Sequence, residues 1–522
     1  MRLFPMNSGQ TRVRLVQAGA VLMAVALVAG CGSAYRSVIT PITSTGPAAQ
    51  PQSLAVVVSS PPPTTANPNP TGIATIIDYS GDSVMASQAI GVGPLAFTVS
   101  AVGSPAYTIN SDHTMTVFPV TATLQEKQVY YSSLPPGAQP VSLFYPSSGL
   151  WAADLTGNFV DVFGTSSGSA QAFELAVPVA ATPVMVIGPG TGGQRNFALS
   201  QGFTTPTGVE CNSPSSVTQY GYVTPIEVTP PTADPAIPVG KCPVYAVQTP
   251  DDRRLFVLNR GDDTISVINT QDNTLDSCTP FVDPSESSRT VTCHPTLPLS
   301  QAALTASNAP VNCNSTADPT CSLPADGGLP AVAGPVYAEF NAAIQQLVVA
   351  DYDGGTVSII DVSLDEYGND SATFGTTYTV AVGNNPASVT VLYDGSRAYT
   401  ANQTDGTVSI VNLSSHTIEK APLPVVGHPR TVVSTQNSEY GKVYVASPDS
   451  NYLTILSTTT DLVDTTVLIQ GNIVDVRVST QSGTAGSNSN LTTRKPGFGQ
   501  PCNLPGAAAV ASITACQNQI MP

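Results

Sequence analysis

The sequence predicts an all-β fold, a β-propeller of seven or eight four-stranded blades whose first and last strands share one blade; the count favours eight. Three observations carry this. A unit of turn, short strand, turn and alternating strand recurs along the chain. A proline before an apolar strand recurs at Pro94, Pro140, Pro183, Pro243, Pro335, Pro386 and Pro429, at intervals of 46, 43, 60, 92, 51 and 43 residues. A base period in the mid-forties suits four short strands per unit. Charged residues are only 10% of the chain, beside 42 Gly and 46 Pro in 522 residues, a composition of many strands and turns rather than helices.

In chain order, residues 1–30 read as a secretory signal peptide. Arg2, Arg12 and Arg14 give a basic start with no acid near it, and the apolar run 18–29 is shorter than the roughly 20 residues that span a bilayer. The end of this segment, Leu27-Val28-Ala29-Gly30-Cys31, resembles the lipobox of bacterial lipoproteins. The resemblance implies cleavage before Cys31 and lipid attachment to its thiol, so that the membrane is a partner through the N-terminal lipid. Gly32, where retained lipoproteins carry aspartate, implies the outer membrane or cell surface rather than the inner membrane. Residues 31–52 are rich in Ser, Thr, Pro, Ala and Gly and form a flexible tether.

Without residues 1–30 the chain keeps 15 basic against 35 acidic side chains, a net charge of −20. Nucleic acid is therefore not an expected partner, since its phosphates need clustered Lys and Arg. Eight cysteines remain beside Cys31: Cys211, Cys242, Cys278, Cys293, Cys313, Cys321, Cys502 and Cys516. An even number in an exported chain favours disulfides, and although spacing alone does not fix connectivity, sequence neighbours are the expected pairs: 211–242, 278–293, 313–321 and 502–516. No Cys pair has two-residue spacing and no histidine sits at ligand spacing, so no zinc site is read.

The repeat is clearest in three segments. Leu255-Phe256-Val257-Leu258-Asn259 is followed by Thr264-Ile265-Ser266-Val267-Ile268-Asn269. Leu347-Val348-Val349-Ala350-Asp351 precedes Thr356-Val357-Ser358-Ile359-Ile360-Asp361. Ala398-Tyr399-Thr400-Ala401-Asn402 precedes Thr407-Val408-Ser409-Ile410-Val411-Asn412. The Thr-x-Ser-x alternation is β-branched with period 2, as strands prefer. These segments resemble the YVTN family of propeller repeats, whose unit carries Tyr-Val-x-Asn followed by Thr-Val-Ser-Val-Ile-Asp. The likeness extends to Val443-Tyr444-Val445-Ala446-Ser447 and, more weakly, upstream to Leu54. The family norm is seven blades. The first unit, from Leu54, lacks an inner strand of its own, and residues 473–478 are expected to supply it, closing the ring without a free edge.

The expected boundaries are therefore a propeller over 53–480, a Cys-containing insertion at about 279–334 in the 92-residue interval, and a tail over 481–522 with a short helix, Leu504 to Ile520. A connection as long as that insertion needs staples or a function, and a lid or binding loop is one reading.

The sequence assigns no catalytic residue and no metal ligand. His113, His294, His416 and His428 are far apart in the repeat and read as exposed turn residues. No Gly-x-Ser-x-Gly elbow, Cys-x-x-Cys-His or Gly-Lys-Ser/Thr loop occurs. Asp351-Tyr352-Asp353-Gly354-Gly355 and Asp449-Ser450-Asn451 could offer oxygens to Ca²⁺, but they lack EF-hand spacing and read first as turns; no other cofactor is expected. Asn259, Asn402 and Asp361 are expected to cap backbone groups at turns, and Trp151 to pack inside a blade. The leading function is a non-catalytic, lipid-anchored scaffold binding a protein, peptide or glycan. The alternative is a metal-assisted, lactonase-like hydrolase using the central channel.

Overall fold

The computed structural model describes residues 54–479, apart from residues 101–102, 121–128, 146–148, 165–170, 190–193, 207–209, 213, 284–287, 307–327, 366 and 436–440. The signal segment, Cys31, the tether and the tail with Cys502 and Cys516 lie outside the described residues, as do Cys313 and Cys321.

Eight sheets of at least four strands form the blades of a β-propeller. Six innermost strands open on the recurring proline: Pro94–Val99, Pro140–Phe144, Pro183–Ile187, Pro243–Gln248, Pro335–Asn341 and Pro386–Val391. Proline suits a strand's first position because it has no N–H to give to a ladder. A seventh, Thr431–Ser434, starts two residues after Pro429. The eighth, Asn472–Val478, pairs antiparallel with Leu54–Ser60, Val57 lying opposite Val476. Blade 1 is thus completed by the far end of the chain, and blades 2 to 8 follow in order from Pro94. Each innermost strand packs on its successor, and Asn472–Val478 packs on both Thr431–Ser434 and Pro94–Val99, which closes the ring at eight blades.

The repeat encodes which strands are buried. Innermost and middle strands are covered on both faces by neighbouring blades, so almost every position is buried, as in Arg254–Asn259 and Val357 to Ile360. Each fully buried Val, Leu or Ile there contributes about 1.5–3 kcal/mol. The outermost strands, such as Thr417–Pro424 and Leu462–Leu468, are largely exposed. Trp151 is fully buried in the core, as its sequence position implies.

The asparagine of the repeat differs from its expected role. Asn259 Nδ2 donates to Thr264 Oγ1 (3.1 Å) and Ser266 Oγ (3.0 Å) on the next strand, and does not cap the turn. Asn402 does the same to Thr407 and Ser409, and Asn110 to Thr114 and Thr116. The amide is buried, where a hydroxyl partner is worth more than a solvated turn. A glycine from the end of the preceding blade lies against it: a Cβ on Gly91, Gly240 or Gly383 would stand 2.1–2.6 Å from the carboxamide of Asn110, Asn259 or Asn402. The N–H of Gly91 donates to Thr116 Oγ1 at 3.0 Å. This set therefore locks blades 2, 5 and 7 to their predecessors. Asp361 does cap, accepting the Ser363 N–H at 2.9 Å. The hairpin between the middle strands needs a left-handed residue, supplied by Gly355 and Gly406 (both φ 64°) and by Asp263 (φ 55°).

Blade 6 carries Asp351 in place of the asparagine, accepting from Thr356 (3.0 Å) and Ser358 (2.7 Å). Burial, only partly offset by those hydroxyls, pushes its carboxyl up to about 7. A raised carboxyl costs nothing below the unfolded value near 4, and the cost grows as pH rises towards 7. Asp351→Asn restores the repeat residue, so the stability difference should move in the variant's favour between pH 4 and 7, by about 4 kcal/mol in all. Urea unfolding at pH 4.5 and pH 8 checks this; a pH-independent difference contradicts it.

Candidate functional site: the crossover end of the propeller

The crossovers between blades and the hairpins between middle strands lie at one end of the disc. Backbone bonds tie them together: Arg260 N to Cys242 O, Tyr352 N to Gly334 O, and Gln403 N to Asn385 O. Each residue that follows the repeat's Asn or Asp therefore projects from this end.

In blades 5 to 7 these residues form one network. Arg260, almost fully buried, binds Asp353 through two bonds of 2.7 Å, donates to Cys211 O (3.2 Å) and lies 5.1 Å from the centre of the Tyr352 ring. Bidentate guanidinium–carboxylate pairs of this kind are the rigid ones. Tyr352 Oη donates to Gln403 Oε1 at 3.1 Å, and Asn385 Nδ2 donates to Tyr352 O. Burial raises the Tyr352 hydroxyl above its ordinary value while Arg260 pulls the other way. The Cys211–Cys242 disulfide ties the long connection of blade 4 into the same network. Exposed side chains at this end include Tyr220 on blade 4, Val332 and Val426 in the crossovers that enter blades 6 and 8, and Tyr452 on blade 8.

Below this rim the innermost strands of blades 6, 7, 8 and 1 carry buried polar groups. Glu339 Oε2 accepts the Val391 N–H (2.8 Å) and Thr390 Oγ1 (3.3 Å). Ser388 Oγ accepts the Val432 N–H, Thr390 Oγ1 the Ser434 N–H, and Asp475 Oδ1 the Thr431 hydroxyl, each at 3.1 Å. Arg430, fully buried, is brought down to about 10 by desolvation, with Asp475 acting against the fall. Between the innermost strands of blades 5 and 6 the Tyr245 and Tyr337 rings lie 4.5 Å apart.

The cysteine-rich segment divides in two. The outermost strand of blade 5 is interrupted: Thr274–Leu275 and Thr296–Pro298 both pair with Thr264–Asn269. Between them a hairpin, Phe281–Val282 with Thr290–Val291, is closed by the expected Cys278–Cys293 disulfide. Arg254 Nη2 reaches Asp276 (3.3 Å) and Asp370 (3.2 Å), His294 Nδ1 meets Asp370 Oδ2 at 2.6 Å, and Arg289 Nη1 binds Asp283 at 2.8 Å. Burial and the neighbouring Asp370 charge push Asp276 up to about 6. This hairpin braces blade 5 against blade 6. The later part returns across the crossover end, Gly334 N donating to Asp263 Oδ1 at 2.8 Å.

The other expected residues are dispersed. His294 is buried, unlike the exposed turn residue the sequence suggested, because Asp370 and the Phe374 ring (5.1 Å) enclose it. His113 is exposed, His416 stacks on Tyr378 at 3.7 Å, and His428 Nδ1 meets Asp449 at 2.6 Å. Of the Ca²⁺ candidates, Asp351 is held by hydroxyls, Asp353 by Arg260 and Asp449 by His428. Among the described residues no group of three or more His, Cys, Asp or Glu side chains is placed to hold a metal ion. Sequence reasoning passed over Arg260, Glu339, Arg430 and Arg477; their only signal was a charge at repeat positions that are otherwise uncharged, Glu339 and Arg477 sharing one such position.

No protein-family model matches the chain, and no curated protein matches it. Solved structures do. AztD of Citrobacter koseri in its apo form aligns with TM-score 0.51 at 10% identity, covering 82% of this chain and 98% of that one. The dihydro-heme d1 dehydrogenase NirN in complex with DHE gives 0.52 at 11%, over 83% and 78%. Sqt1 of Saccharomyces cerevisiae gives 0.51 at 9%, over 77% and 96%. At these identities the likeness is one of fold, and the chain is an eight-bladed β-propeller protein.

Proposed function

We propose that this chain is a lipid-anchored extracytoplasmic propeller of the YVTN type, held at the outer membrane or cell surface through Cys31, that binds a protein, peptide or glycan at its crossover end. The observation that carries the binding reading is the rim itself. Arg260, Asp353, Tyr352 and Gln403 are pre-ordered by mutual bonds and a disulfide, and Tyr220 on blade 4 and Tyr452 on blade 8 stand exposed at the same end. Pre-ordered polar groups next to exposed aromatics are what a recognition surface uses, because little freedom is lost on binding. The YVTN reading is supported by the part the Asn-Thr-Ser positions play in the blade lock. A lactonase-like hydrolase would need Glu, Asn and Asp from several blades to converge on one metal, and the described residues offer no such group of acids.

Binding to a glycan array and to immobilised cell-envelope peptides tests the reading. The parent chain should bind, and Tyr220→Ser with Tyr452→Ser should weaken binding at least about tenfold without changing the unfolding midpoint. Unchanged binding by the double variant removes the crossover end from the account, and chelator-sensitive lactone hydrolysis by the parent would favour the hydrolase. Anchoring is tested separately: Cys31→Ser should move the chain from the membrane fraction to the soluble one, and retention in the membrane would contradict lipidation.

A further inference from the structure

At two blade junctions the residue four places after a blade-start position faces the next blade and accepts that blade's axis-facing N–H. Glu339, four after Pro335, accepts from Val391. Thr390, four after Pro386, accepts from Ser434. By register the corresponding residue of blade 1 is Arg477, four after Ile473, and the amide that should find an acceptor is that of Val99 in blade 2. A guanidinium has no lone pair to offer, so at this junction donors face donors.

Arg477 is 1% exposed. Its Nη2 is bonded to Asp475, while Nε and Nη1 are buried without a hydrogen-bond partner. Asp475 is already engaged by the Thr431 hydroxyl and by the N–H of Val476. The Phe97 ring lies 5.8 Å from the Arg477 guanidinium and supplies no acceptor oxygen. Buried guanidinium nitrogens without acceptors are costly, and native proteins fill such places with an ion or water.

We propose that the junction between the innermost strands of blades 1 and 2 is a binding site for a small oxyanion, carboxylate or phosphate, held by Arg477 Nε and Nη1 and the Val99 N–H. The site is independent of the rim described above. It favours small ligands because the Arg477 guanidinium is buried beside Phe97, and it selects negative oxygen because the unpartnered Arg477 nitrogens are donors.

Thermal unfolding of the full chain in acetate, succinate or phosphate, each against sodium chloride of equal ionic strength, tests this. At least one anion should raise the midpoint progressively with concentration, as a ligand of the native state must; the three arms separate carboxylate from phosphate preference. Arg477→Thr gives the Val99 amide the hydroxyl that Thr390 gives Ser434, so this variant should fold and lose the anion response. Arg477→Lys keeps the charge with fewer donors and should respond with about tenfold weaker affinity. A parent midpoint that follows ionic strength alone, or an Arg477→Thr variant that responds like the parent, overturns the site.

Discussion

The antiparallel pairing of Leu54–Ser60 with Asn472–Val478 is the constraint on which the rest depends. Without it blade 1 would expose the edge of its innermost strand, blades 8 and 2 would lose a neighbour, and the disc would be an open arc. Open sheet edges invite pairing with other chains. Along the seam Ala55 and Val57 pair with Val478 and Val476, while Val56 and Val58 lie opposite Arg477 and Asp475, and all are buried. Closure therefore combines a hydrogen-bond ladder with hydrophobic burial, and it couples residues about 420 positions apart.

Between blades the same problem is solved repeatedly with polar atoms. The asparagine lock seats blades 2, 5 and 7 on a glycine of the preceding blade. On the axis, side-chain oxygens of one blade satisfy the amides of the next. A rigid ring built this way fixes the crossover end, so loops there can carry recognition groups without bearing the fold. The charged hairpin bracket between blades 5 and 6 does for the periphery what the lock does for the interior.

Much of the fold was legible because its signals are local. The prolines mark innermost strands, and the Thr-x-Ser alternation marks the third strand of the best-conserved units. The split partner of the first unit was legible too, because Leu54 begins without a preceding strand while Ile473 to Val478 lacks a following one. The eight-blade count held against the seven of the YVTN family norm. The role of the asparagine was not legible: a residue at a strand end could cap its own turn or reach across to the next strand, and only burial decides. His294 escaped for a similar reason, since its partner Asp370 lies 76 residues away on another blade. Of the site, the two disulfide pairs were legible but not the Arg260 or Arg477 environments, which are assembled from residues of separate blades.

The account rests on the far end of the chain completing the first blade. A chain ending at residue 480 and one ending at residue 471 differ mainly in that strand. Denaturant unfolding followed by near-ultraviolet circular dichroism should show one cooperative transition for the longer chain. The shorter chain should lack a native transition or aggregate, and a peptide spanning 472–479 added in trans should restore it. Equal midpoints for the two chains would contradict the closed ring.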